Sequence, residues 1–162
     1  QNFILAEAAV RGWISGDASA YYKKAIRAHM EFIASNTPDE EVYHHGHPIT
    51  EEAIAAFLET PAIQLSGEKE ADIEKILTQR YLASFMQHPY DVYYDYRRTG
   101  YPEVFPSVSN LSNGVIDTNR QLRRLPFPLS EKQGNSANVS AAVSMLGGPD
   151  TGATDLWWAK KN

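Results

Sequence analysis

A chain of 162 residues, 43% hydrophobic and 22% charged, is long enough to bury one sizeable core, and it contains no apolar run long enough to cross a membrane as a helix. A net charge of −5 argues against a nucleic-acid partner, which needs a concentrated positive field. Cysteine is absent, which excludes disulfides, thiolate metal sites and cysteine nucleophiles.

The chain opens inside a helical pattern. Residues 2–14 are rich in Ala and Leu and read as a first helix, with Glu7 and Arg11 spaced as a helix pair and Trp13 packing at its end. Gly16-Asp17 is a turn, and Asp17 caps a second helix running to about Ser35. Its apolar stripe is Tyr22, Ala25, Ile26, His29, Met30 and Ile33. The spacing of Tyr21, Tyr22 and Ala25 after Asp17 fits a helix of a tetratricopeptide-type hairpin, of which only one unit is visible.

Residues 36–49 form a polar excursion through Pro38, Tyr43, His44, His45, Gly46 and His47. Thr50 caps a short helix to about Glu59, and Thr60-Pro61 stops it. After the break at Ser66-Gly67, Ser66 is a candidate cap. The pattern is then helical again to Gln87, with Ile73, Ile76, Leu77, Tyr81 and Phe85 on one face. Pro89 suits the first turn of an aromatic helix over 90–98, which ends at Gly100 before Pro102. Beyond it, the Pro-, Ser- and Asn-rich stretch to about 135 reads as loop, with a short strand at Leu122 to Leu125 and a tight turn at Asn113-Gly114. A last helix covers 136–146, ended by Gly147-Gly148-Pro149, before the Leu156-Trp157-Trp158 tail. The fold class is therefore mostly α, with little β.

Four blocks carry a resemblance. They are Ala6-Glu7-Ala8-Ala9-Val10-Arg11-Gly12-Trp13 with Gly16-Asp17-Ala18 and Tyr21-Tyr22; Arg97-Arg98-Thr99-Gly100-Tyr101-Pro102; Arg123-Arg124-Leu125-Pro126-Phe127-Pro128 with Glu131 and Asn135; and Trp157-Trp158. In this order they resemble the C-terminal part of the SusD/RagB nutrient-binding outer-membrane lipoproteins. The resemblance implies a SusD-like helical fold divided as a repeat-like hairpin (1–35), an insertion (36–66), helices (67–99), a loop region (100–135) and a last helix with the Trp-Trp tail (136–162). It implies a C-terminal fragment of a roughly threefold larger protein that is anchored by a lipid far upstream. It further implies a non-enzymatic capture protein that binds a glycan or peptide nutrient and delivers it to a TonB-dependent, SusC-like transporter. No cofactor is expected. The alternative is a helical repeat scaffold that binds only protein.

Candidate chemistry is sparse. No nucleophile motif or phosphate loop is present. The imidazoles of His44, His45 and His47 invite a metal, but their spacing around Gly46 lacks a helical ligand pattern, so solvated loop histidines are expected. Arg97-Arg98 suits a helix C-terminus, with Asp91 and Asp95 near enough to pair, and of Arg123-Arg124 one is expected to clamp the Pro-rich turn while the other faces solvent. Aromatics are the better ligand candidates, because the apolar face of a sugar ring stacks on a flat side chain. Placement in a loop or at a helix end selects Tyr43, Tyr96 and Tyr101, whereas Trp157 and Trp158 are expected to staple the tail by burial.

Overall fold

The computed structural model describes residues 1–103 and 122–159. The described residues form eight α-helices: α1 (Asn2–Val10), α2 (Ala18–Asn36), α3 (Glu41–His44), α4 (Glu51–Leu58), α5 (Lys69–Ser84), α6 (Pro89–Thr99), α7 (Leu129–Gly134) and α8 (Ser136–Leu146). They include no strand. The mostly α class expected from the sequence is the class observed. The turn expected at Asn113-Gly114 lies outside the described residues. Contacts divide the chain within α6 into two units, Gln1–Tyr93 and Tyr94–Asn162.

In the first unit α1 packs against α2 and α5, and α2 also packs against α4 and α5. The helix α1 ends at Val10 rather than at residue 14. Gly12 takes φ +73° and donates its N–H to Ala9 O at 3.0 Å, while Trp13 N donates to Ala8 O at 2.9 Å, a paired closure that favours glycine. Trp13 thus falls outside the helix and is 69% exposed, contrary to the packing role expected for it; the Arg11 guanidinium lies 5.2 Å from its ring centre. Glu7 and Arg11 pair as expected, at 2.7 Å. Gly16 turns the chain into α2 at φ +142°, where a Cβ would lie 2.8 Å from Tyr21 Cε2. Asp17 then caps α2, accepting from Ser19 N at 2.8 Å and Ala20 N at 3.2 Å.

The stripe on α2 meets the core through Tyr22, Ala25 and Ile26, and its continuation at His29, Met30 and Ile33 is half-buried. Phe3 and Ala6 of α1, Ile54 and Leu58 of α4, Ile63 and Ile76 complete the cluster. Tyr22 sits edge-on to Phe3, with ring centres 6.3 Å apart. Its hydroxyl is buried with no hydrogen-bond partner among the described residues. Burial, with a smaller contribution from the charge of Asp72, pushes its pKa up to about 12. The helix α5 buries Ile73, Ile76 and Leu77 as the pattern predicts. It stops at Ser84, however, and the next residue, Phe85, leaves the face and is 63% exposed. Ahead of α5, Ser66 does not act as the cap; Glu68 holds that position. Instead the buried carboxylate of Asp72 reaches back to accept from Ser66 N at 2.6 Å, Ser66 Oγ at 2.9 Å and Gly67 N at 2.9 Å.

In the second unit α6 closes at Gly100, with φ +84° and its N–H donated to Tyr96 O at 2.7 Å. The expected strand at Leu122 to Leu125 does not form. The Arg123 and Arg124 amides instead both donate to Gly152 O, at 2.7 and 3.3 Å. The short helix α7 follows Pro128 inside the stretch read from sequence as loop. It is followed by α8, which ends, as expected, at Gly147 with φ +68°.

Two substitutions check this packing. Gly16→Ala forces a Cβ onto the Tyr21 ring in a backbone region unfavourable to alanine, and is expected to cost about 1–3 kcal/mol in chemical unfolding. Tyr22→Phe removes only a hydroxyl that has no partner among the described residues, and is expected to be neutral or slightly stabilising at pH 8. The wild type should also lose stability as pH rises from about 10 toward 12, because its raised folded pKa favours the protonated phenol that alkali removes. Tyr22→Phe should flatten that alkaline fall in urea unfolding measured across the range.

Candidate functional site

The loop between α2 and α4 holds the clearest concavity around a sequence-selected residue. Asn36 closes α2, its Nδ2 donating to Phe32 O at 2.8 Å, and Thr37 is extended ahead of Pro38. The single turn α3 follows, reversed by His45 at φ +49° and Gly46 at φ +77°. His45 N donates to Glu41 O at 2.7 Å and His47 N to His44 O at 2.8 Å. The result is an open groove of about 390 Å³. Its apolar wall includes Ile33 and Ala34 from the end of α2 and Ile49, and its polar lining includes Asp39, His44 and His47. Tyr43 also lines it and is 56% exposed. Thr50, at the mouth of α4, accepts from Ala53 N at 3.2 Å, which is the capping bond expected from the sequence.

The imidazole of His44 is held at Nδ1. Nδ1 accepts from Gly46 N at 3.1 Å, and Nε2 lies 3.5 Å from Asp39 Oδ1. His44 and His47 line the groove and His45 does not. Among the described residues no three His, Asp or Glu side chains converge as a metal-ligand set.

The second unit is organised by arginines. Arg124, only 8% exposed, pairs with Asp150; the same carboxylate accepts from the Phe127 amide at 3.2 Å and meets Lys132 Nζ at 2.8 Å. One aspartate thus fixes the Arg-Arg-Leu-Pro-Phe-Pro turn. Burial alone would raise the Asp150 carboxyl, but the hydrogen bonds from Lys132, Arg124 and the Phe127 amide outweigh it and hold the pKa at about 2. The partner Arg123 does not face solvent as expected: it pairs with Asp155 at 2.8 Å, and its guanidinium lies 5.4 Å from the Tyr96 ring centre. Each arginine has its own carboxylate, which is why both turn inward. Arg98 pairs with Asp95 at 3.0 Å, as the sequence suggests.

Of the residues selected from the sequence as ligand contacts, Tyr43 belongs to the first unit, and Tyr96 and Tyr101 belong to the second and are half-buried there. The Trp-Trp tail departs from expectation. Trp157 is 84% exposed and does not staple the tail by burial; Trp158 is partly covered, with the Arg97 guanidinium 4.6 Å from its ring centre. A cation–π contact takes the place of the apolar socket expected for it. Asp150 and Asp155 were not singled out from sequence, because their partners lie far along the chain.

The profile of the family described as SusD-like, Susd and RagB outer membrane lipoprotein, matches residues 1–159. Solved structures agree. A SusD homolog from Bacteroides fragilis is 70% identical, with a TM-score of 0.86, over 98% of this chain and 34% of its own. A second SusD homolog from Bacteroides fragilis is 34% identical, with a TM-score of 0.77, over 99% of this chain and 34% of its own. A chitin-binding SusD homolog from Flavobacterium johnsoniae is 35% identical, with a TM-score of 0.68, over 99% of this chain and 35% of its own. No curated protein matches significantly. The chain belongs to the SusD/RagB family of outer-membrane lipoproteins. It spans about a third of the length of the solved structures it matches.

The Asp150 clamp makes two measurable predictions. Asp150→Ala leaves the buried Arg124 without its carboxylate and is expected to cost about 3 kcal/mol in chemical unfolding. In the wild type the depressed folded pKa adds stability that is present above about pH 4 and is lost as pH falls toward 2. Unfolding curves between pH 5 and 2 should show that loss, and it should shrink in Asp150→Asn.

Proposed function

We propose that the protein captures glycan nutrients at the outer membrane, without transforming them, and hands them to a TonB-dependent, SusC-like transporter. Family membership across residues 1–159 is the observation that carries this reading, and the chitin-binding homolog from Flavobacterium johnsoniae favours glycan over peptide. The groove at Tyr43 suits such a role chemically, combining an aliphatic wall with a few placed polar groups. Tyr96 and Tyr101 are the other two proposed ligand contacts, although Arg123 lies beside the Tyr96 ring.

Affinity purification of the full-length protein from detergent-solubilised outer membranes tests the hand-over. A TonB-dependent transporter is expected to co-purify in near-equal amount, and the purified protein is expected to leave bound oligosaccharides chemically intact on prolonged incubation. Recovery without any transporter would count against delivery. A protein partner together with no glycan affinity would favour the repeat-scaffold alternative.

A further inference from the structure

The geometry points to the groove between the end of α2, α3 and the start of α4 as a subsite for an uncharged sugar ring, with Tyr43 as the stacking face and Asp39 as the hydroxyl acceptor. This rests on the glycan-capture reading and narrows it to a place and a charge class.

Three features carry it. The first is shape and surface: an open groove of about 390 Å³ with an exposed tyrosine and an aliphatic wall matches the apolar face of a pyranose. The second is the polar set. Asp39 is 94% exposed in its side chain and is acceptor-only, so its two oxygens can bridge neighbouring hydroxyls. Because His44 Nδ1 already accepts from Gly46 N, the neutral ring carries its hydrogen on Nε2, the atom facing Asp39. The carboxylate lies 3.5 Å from that nitrogen, and its oxygens stay open to solvent. His47 adds a second imidazole to the lining.

The third feature is charge. Among the described residues, no lysine or arginine lines the groove. Asp39 is followed by the exposed Glu40 and Glu41, and Glu51 and Glu52 stand at the start of α4, facing the positive end of that helix. The nearby cation on α2, Arg27, is engaged by Glu51 at 2.5 Å and Glu31 at 3.5 Å. A uronate or sulfated sugar would meet like charge here, and the guanidinium of Arg27 is already held by two glutamates.

Calorimetric titration of the full-length protein with tetra-N-acetylchitotetraose, cellotetraose, maltotetraose and tetragalacturonate tests this. At neutral pH at least one neutral oligosaccharide should bind, and tetragalacturonate should bind at least about tenfold more weakly. Tyr43→Ala should weaken the neutral ligand about tenfold or more, by the scale of flat rings stacking on aromatics, and Asp39→Asn should weaken it several-fold. Both side chains are exposed, so both variants should melt at the wild-type temperature. Wild-type affinity in both variants would overturn the subsite and leave glycan capture standing. Tyr43-dependent preference for tetragalacturonate would overturn the charge assignment. Binding of none of the four would refute the glycan reading and the subsite with it.

Discussion

Burial of Tyr22 is the contact on which the first unit depends. Its ring meets Phe3 of α1 edge-on, and it shares a core with Ile54 of α4 and Ile76 of α5. Burying one large aromatic is worth on the order of 2–3 kcal/mol, comparable to a sizeable part of a small domain's net stability. The cost is a hydroxyl with no partner among the described residues, which removes part of that gain. The consequence for function is positional. With α2 fixed at Tyr22, Ala25 and Ile26, its last turns carry Ile33 and Ala34 out to form one wall of the groove.

Single aspartates organise the loops of both units. Asp72 gathers Ser66 and Gly67 onto the start of α5, and Asp150 gathers Arg124, Phe127 and Lys132. A carboxylate accepts several hydrogen bonds at once, so one side chain can order a loop that has no ladder of its own. In the groove Asp39 differs: one imidazole faces it and the rest of its acceptor capacity is open to solvent. That contrast separates a structural carboxylate from one available to a ligand.

Where local chemistry dictates structure, the sequence was readable. Asp17, Thr50 and Gly147 lie within a turn of the helix ends they define, so the start of α2, the start of α4 and the end of α8 could be placed from sequence. Too short for a periodic signal, α3 and α7 were read as loop. The end of α1 was misplaced because Gly12 was counted inside a helical pattern that it terminates. The roles of Asp150 and Asp155 depend on partners 18 to 32 residues away, beyond the reach of spacing arguments. Hydrophobicity misled at Trp13 and Trp157, since an aromatic side chain does not reveal what covers it. Tyr43 was legible as an aromatic in a polar loop; the α2 residues that line the same groove were not.

On the proposed reading, residues 37–50 form a ligand-contacting surface. Hydrogen–deuterium exchange of the full-length protein with and without saturating tetra-N-acetylchitotetraose tests it most directly. Slower exchange centred on the amides of 39–47 is the predicted result, with the clamp around Arg124 and Asp150 unchanged. Unaltered exchange at 39–47, with protection elsewhere in the protein, would contradict it.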